Sequence, residues 1–238
     1  MLASNCNCSH HQYRTVSHCI FDLDGTLLDT EPIYTEIYID MLKEHGENLT
    51  SDLRQKIAGT TNEETWKITT RETTIKLPWK LLAEEYRKRS HARLGNCQLL
   101  PGVERLLLHL WKHQIPMAIA SSTTSALFEC KTKVHMDLFK VFHHVVCGGT
   151  DQAVSRGKPQ PDVYLVCADR FEEKPRPGNC LAFEDCSNGV QAAIGAGMQC
   201  VAIYAKDIPK KNYNCSTMVI NSLEEFQPQQ FGLPSFDT

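Results

Sequence analysis

Short apolar runs at 19–21, 117–120, 145–147, 180–183, 200–204 and 218–220 recur along the chain, with helix-patterned sequence between most of them. Strands that alternate with helical segments predict βαβ units, and therefore an α/β fold: a Rossmann-like parallel sheet flanked by helices. After the turn Pro101-Gly102, Val103, Leu106, Leu107 and Leu110 follow the i, i+3, i+4, i+7 stripe of an amphipathic helix packed on the sheet. Residues 188–196 are rich in small side chains, which suits a helix lying close to strands.

The interval from about 33 to 97 breaks the alternation and reads as helices alone. Pro32 can begin a helix that carries Ile33, Ile37, Met41 and Leu42 on one face and stops near Gly46. Further helical patterns cover 51–58, 62–71 and 80–94, and the dense charge of Glu84-Glu85-Tyr86-Arg87-Lys88-Arg89 reads as a solvated helix face. At 238 residues the chain exceeds the usual domain size, so an insertion is expected. The resulting division is a flexible tail over 1–16, a core over 17–31 and 99–238, and a small α-helical insertion over 32–98. Trp66, Trp79 and Trp111 are expected to serve packing, and Gly59, Thr60 and Thr61 to form an ordinary turn in the insertion.

The chemistry-bearing residues follow the strand-like runs. Cys19-Ile20-Phe21 should deliver Asp22 and Asp24 to the carboxyl end of a strand, where ligands of open α/β sheets bind. Side chains two apart on an extended chain share a face, so both carboxylates would address one cavity if strand geometry persists to Asp24. Gly25 then allows a sharp departure. Carboxylates this close repel, and relief must come from a cation, a shared proton or both. Mg²⁺ prefers oxygen ligands and keeps several waters, so few protein carboxylates suffice; Glu184 and Asp185, after 180–183, are the further candidates. Read alone, that acid pair could equally cap the following helix, Ser121 or Ser122 could be a helix N-cap, and Lys158 an exposed lysine in a Gly/Pro turn.

Taken together the set suits phosphoryl transfer. A phosphate monoester is a dianion, and an anionic nucleophile reaches its phosphorus only when charge is neutralised and the atoms are held in line. Lys158 and Mg²⁺ can neutralise. Ser121, with Ser122 and the amides beyond it, can hold phosphoryl oxygens where a helix is expected to open at Ser122 or Thr123. Asp22 would attack to form an aspartyl phosphate, and Asp24 would protonate the leaving alcohol and later deprotonate the attacking water.

The ordered set Asp22-Leu23-Asp24-Gly25-Thr26, Ser121, Lys158, Glu184-Asp185 resembles the haloacid-dehalogenase superfamily of phosphohydrolases, from about residue 19 to about 203. Leu28-Asp29-Thr30-Glu31, Leu100-Pro101-Gly102-Val103-Glu104, Lys112-His113-Gln114-Ile115-Pro116, His143-His144-Val145-Val146 and the closing Asn221-Ser222-Leu223-Glu224-Glu225-Phe226 and Phe231-Gly232-Leu233-Pro234 are similar to the animal branch of that superfamily that hydrolyses pseudouridine 5'-phosphate. The resemblance implies Asp22 as nucleophile, Asp24 as acid and base, and Ser121 and Lys158 as phosphate holders. It also implies Mg²⁺ held by Asp22, the Asp24 carbonyl and Asp185, with Glu184 supporting. The family further implies that 32–98 is a mobile cap hinged near 30–32 and 98–102. Gly148-Gly149-Thr150-Asp151 departs from an acidic Gly-Asp-Asp pattern of relatives, which bears on loop conformation more than on chemistry.

The expected activity is a Mg²⁺-dependent phosphatase of a small phosphorylated metabolite. A sugar-phosphate phosphatase or a phosphomutase would use the same residues; a dehalogenase would leave Asp24 unexplained. A receiver-like signalling domain also gathers acids, a hydroxyl and a lysine around Mg²⁺, but its phosphorylated aspartate ends a later strand and no long helical insertion follows its first motif. A net charge of -3, from 25 basic and 28 acidic residues, provides no general field for nucleic acid or an anionic membrane. Eleven scattered cysteines and a polar stretch over 1–17 without an apolar core imply reduced thiols in the cytoplasm. Cys6, Cys8, His10 and His11 miss the common zinc spacings and are expected in a disordered tail, and a monomer is expected.

Overall fold

The computed structural model describes residues 13–57, 60–204 and 213–237. The N-terminal Cys/His cluster and Gly59 lie outside the described residues.

All six expected strands form, each within a residue of its expected bounds: β1 His18–Phe21, β2 Met117–Ser121, β3 His144–Cys147, β4 Cys180–Glu184, β5 Gln199–Ile203 and β6 Met218–Ile220. They pair in parallel in the order β3-β2-β1-β4-β5-β6. This is the doubly wound nucleotide-binding order rather than the 2-1-3-4-5 order of receiver-like domains. The chain steps outward from β1 through β2 to β3, then returns to place β4 on the other side of β1, so the crevice of the sheet opens between β1 and β4.

Parity along the strands divides the core. Cys19, Phe21, Met117, Ile119, Leu181, Phe183, Val201 and Ile203 face one side, with Phe21 and Phe183 stacked at 4.5 Å. Helix α5, Val103–Lys112, closes that side through Val103, Leu106, Leu107 and Leu110, as its stripe predicts. Ile20, Ala118, Ala120, Ala182, Cys200 and Ala202 face the other side. Their small size lets α8, Asp162–Asp169, and α9, Ser187–Gly195, approach closely with Tyr164, Cys167, Val190 and Ala193.

Residues 31–93 carry four helices, α1 Glu31–Glu44, α2 Ser51–Ile57, α3 Asn62–Glu72 and α4 Trp79–Arg93. They bury a separate apolar cluster that includes Ile37, Met41, Leu42, Leu53, Trp66 and Leu82. Burial of each such side chain contributes about 1.5–3 kcal/mol, enough to hold short helices that would be marginal alone. Trp66 is buried and Trp79 packs on its edge, whereas Trp111 is 60% exposed on α5 and packs little. The charged run of α4 is mostly exposed, but Tyr86 turns inward to donate to the Tyr34 carbonyl at 3.2 Å, and Arg89 pairs with Glu44 and Glu85. The two connections to this layer run side by side: Leu28 bridges Leu99, Asp29 N donates to Gln98 O at 2.9 Å, and Leu100 N to Leu27 O at 3.0 Å.

Candidate active site

The site forms where β1 and β4 end beside each other. Asp22 follows β1, and its amide donates to the Phe183 carbonyl at 3.0 Å, which continues the ladder one step past Phe21. Asp22 continues the parity of Ile20, and Glu184 that of Ala182, so both carboxylates point to the α8 and α9 side of the sheet. Lys158 meets them there. Its ammonium donates to Asp22 Oδ1 at 2.5 Å, Glu184 Oε1 at 2.5 Å and Ala120 O at 3.0 Å, one acceptor for each of its protons. Glu184 is wholly buried and takes a second donor, the Tyr164 hydroxyl, at 2.7 Å. Gly189 makes room for it, since a Cβ there would lie 1.9 Å from the Glu184 carboxyl carbon.

Asp185 lies against the turn that follows Asp24. A Cβ on Gly25 would come within 2.0 Å of Asp185 Oδ2, and the φ of 76° at Gly25 provides the expected sharp departure. Tyr213 donates to the Asp185 carbonyl at 2.6 Å. Neither Glu184 nor Asp185 caps α9, whose N-cap residue Cys186 makes no side-chain capping bond. The acid pair lies at the crevice instead, against Lys158 and Gly25.

Asp24 has a different partner. Strand geometry does not persist to Asp24, which turns to Lys131 of α6, Ser125–Thr132, whose ammonium lies 2.6 and 2.7 Å from its two oxygens. Each acid of the first motif thus has its own lysine, so a cation does relieve their repulsion here, but as two separate side-chain ammoniums.

Ser121 ends β2, with its hydroxyl buried and accepting the Thr123 amide at 3.1 Å; Ser122 is exposed. The following helix opens at Ser125 with Thr124 as N-cap, later than Ser122 or Thr123, because the Thr124 hydroxyl accepts the Leu127 amide. The loop 148–151 buttresses this turn: Gly148 N donates to Ser121 O at 2.8 Å and Gly149 N to Thr123 O at 3.0 Å. A Cβ on Gly149 would lie 2.9 Å from the Thr123 carbonyl, so the second glycine fits a close backbone approach.

Burial pushes the Asp22 carboxyl up to about 7, with Glu184 and Asp24 adding to the rise and Lys158 opposing it. Asp185 is held well above the ordinary range by burial first, then by Asp22 and Glu184. Burial works against the Lys158 charge, but Asp22 and Glu184 outweigh it and raise the group above the usual lysine range. One ammonium does not offset three buried carboxyl groups, which is why two of them resist ionisation; a divalent cation such as Mg²⁺ would offset them, and the donor set of hard oxygens fits it. Cys186 brings its sulfur within 4.8 Å of ligand atoms of Glu184 and Asp185, and burial first, then those two acids, raises its thiol well above the ordinary range.

The expected residues Asp22, Glu184 and Lys158 are in direct contact, Asp24 and Asp185 flank Gly25, and Ser121 lies at the end of the neighbouring strand. Sequence reasoning missed Lys131 and Tyr164. Tyr164 carried a signal, since Val163, Tyr164, Cys167 and Ala168 form a helical stripe with one hydroxyl in it. Lys131 sits in a polar stretch with no such mark.

The sequence pattern of the haloacid dehalogenase-like hydrolases matches residues 19–203. A protein of Drosophila melanogaster described as a probable pseudouridine-5'-phosphatase is 40% identical over 223 residues, covering 94% of this chain and 96% of its own. The mitochondrial (DL)-glycerol-3-phosphatase 1 of Arabidopsis thaliana is 38% identical, covering 93% of this chain and 75% of its own. A crystal structure of a haloacid dehalogenase family hydrolase from Deinococcus radiodurans, with bound phosphate and sodium, superimposes with a TM-score of 0.76 at 21% identity, over 93% of this chain and 99% of its own. That last likeness bears on the fold.

Proposed function

The chain belongs to the haloacid dehalogenase-like hydrolases, and within that family we propose a Mg²⁺-dependent phosphatase of small phosphate monoesters, with pseudouridine 5'-phosphate as the leading substrate. The observation that carries the reaction class is the ammonium of Lys158 in contact with both Asp22 and Glu184 at the mouth of the β1/β4 crevice. The relatives named for pseudouridine 5'-phosphate and glycerol 3-phosphate support a small alkyl phosphate, and the higher identity and coverage of the former favours the nucleoside.

In this reading an Asp22 oxygen attacks phosphorus as the ester P–O bond breaks, which leaves an aspartyl phosphate. The Asp24 carboxyl gives its proton to the departing alkoxide oxygen. The Asp24 carboxylate then takes a proton from water, whose oxygen attacks phosphorus; the acyl phosphate bond breaks and releases inorganic phosphate with Asp22 restored. Lys158 and the turn at Ser121 and Ser122 hold the phosphoryl oxygens. Asp22, the Asp24 carbonyl and Asp185 would hold Mg²⁺, with Glu184 supporting. When bound, the cation offsets the negative charge that separates nucleophile from substrate.

Helices α1–α4 act as a cap over this site, excluding water and selecting the alcohol part of the substrate. Free cysteines throughout the described residues support a reducing compartment such as the cytoplasm. Among the described residues no helix is long and apolar enough to cross a membrane.

The test is phosphate release from a panel of phosphorylated nucleosides, sugars and glycerol 3-phosphate, with Mg²⁺ and with a chelator. Chelator-sensitive turnover fastest on pseudouridine 5'-phosphate is expected. Preference for another monoester would overturn the substrate, and turnover that ignores chelation would overturn the metal dependence.

A further inference from the structure

Lys131 is 1% exposed, yet its ammonium spans both oxygens of Asp24 at 2.6 and 2.7 Å. Contact with both oxygens from one nitrogen holds the carboxyl group end-on and so fixes its direction as well as its surroundings. The same ammonium lies 3.5 Å from the Thr123 hydroxyl and 5.4 Å from the centre of the Tyr34 ring. Thr123 belongs to the turn that begins at Ser121, and Tyr34 to α1. Lysine is almost never this enclosed unless it is paired, and here the pairing runs to Asp24 rather than to Asp22.

We propose that Lys131 is the positioning residue of Asp24: it aims the carboxyl group at the oxygen that leaves and at the water that enters. The inference rests on the reading of Asp24 as acid and base. Lys131 itself keeps its protons; the proton in flight passes between Asp24 and the alcohol or water oxygen. Its anchorage on α6, beside the phosphate-holding turn and under Tyr34, ties the aim of Asp24 to elements that meet the two ends of the substrate.

The test compares esters that do and do not need a proton on the leaving group. In the full chain, Lys131→Met is assayed on pseudouridine 5'-phosphate, or glycerol 3-phosphate if that is turned over faster, and on p-nitrophenyl phosphate, whose phenolate departs unprotonated. Loss of the aim should lower kcat on the alkyl ester about 100-fold, while KM and the burst of p-nitrophenolate stay within about threefold. Lys131→Arg should recover part of the loss. In an Asp24→Asn background, Lys131→Met should cost nothing further, because the two act as a unit. Should Lys131→Met fail to fold, Lys131→Gln carries the same comparison. An equal fall in alkyl-ester kcat and in the rate of the p-nitrophenolate burst, no fall in alkyl-ester kcat, or full additivity with Asp24→Asn would overturn the proposal alone. A wild-type chain that hydrolyses neither ester overturns the parent reading, and this inference with it.

Discussion

Tyr164 donates its hydroxyl to Glu184 Oε1 at 2.7 Å, the same oxygen that accepts Lys158 at 2.5 Å. Tyr164 and the Glu184 carboxylate are fully buried, so neither can turn to water instead. Tyr164→Phe keeps the ring and removes the donor, and should cost about 1–3 kcal/mol in a urea titration. An unchanged midpoint and slope would mean that Lys158 alone satisfies Glu184.

Asp22→Asn should cut phosphate release by about 10⁴-fold or more, since an amide cannot become an acyl phosphate. Burial and its acidic neighbours already push the Asp22 carboxyl up, so a neutral amide relieves repulsion. Thermal unfolding should therefore be as high as wild type or higher. Near-normal turnover would remove Asp22 from the role of nucleophile.

The ion pair of Asp24 and Lys131 is asymmetric, because the acid is 26% exposed and the lysine 1%. Asp24→Ala strands the buried ammonium and should cost about 3 kcal/mol. Lys131→Met leaves a carboxylate that water can reach, so it should cost less than the aspartate change. The double variant Asp24→Ala with Lys131→Met should recover most of the loss in a denaturant titration. Equal costs for the two single changes would contradict the asymmetry.

His18 and His144 stack edge-on against Phe171, each with ring centroids 4.6 Å away. Burial lowers both below the ordinary value of 6.5; Glu173 partly opposes this at His18, and at His144 the Cys167 carbonyl opposes it while Arg170 and His143 reinforce it. Between the lowered folded values and 6.5 these two groups bind more protons in the unfolded chain, so their contribution to stability rises with pH through that window and is lost as pH falls below about 6.5. Asp22 and Asp185, held above the ordinary range, act in the opposite sense over the same window, so the readout is a difference: from about pH 7 to pH 5 the unfolding midpoint of His144→Asn should gain on that of the wild type. A profile indifferent to His144→Asn would remove that group from the linkage.

Much of this architecture was legible because of how the strands are buried. A parallel sheet covered on both faces gives short continuous apolar runs, and 19–21, 117–120 and 180–183 stand out for that reason. The stripes of α1 and α5 were equally plain. Helices α6 and α7 were not, since α6 offers only Leu127 and Phe128 as its larger apolar side chains and α7, Met136–Phe139, is a single turn. Within the site, the residues that follow strands were readable because strand ends in such sheets converge. Lys131 was not: it reaches Asp24 across 107 residues from the last turn of a helix, and the local sequence carries no trace of that tertiary pairing. The start of the helix after Ser121 was misjudged for a related reason, because the loop 148–151 holds the preceding turn: the Gly148 and Gly149 amides donate to the Ser121 and Thr123 carbonyls, and the Thr150 hydroxyl accepts the Ser125 amide.

The paired crossings at Leu28 and Leu99 have an evolutionary corollary. Because the chain leaves and re-enters the sheet layer through one seam, everything between 31 and 98 is a cassette whose ends already touch. On the proposed reading of α1–α4 as the substrate-selecting cap, recombination at that seam would exchange the module while leaving the sheet beneath it intact.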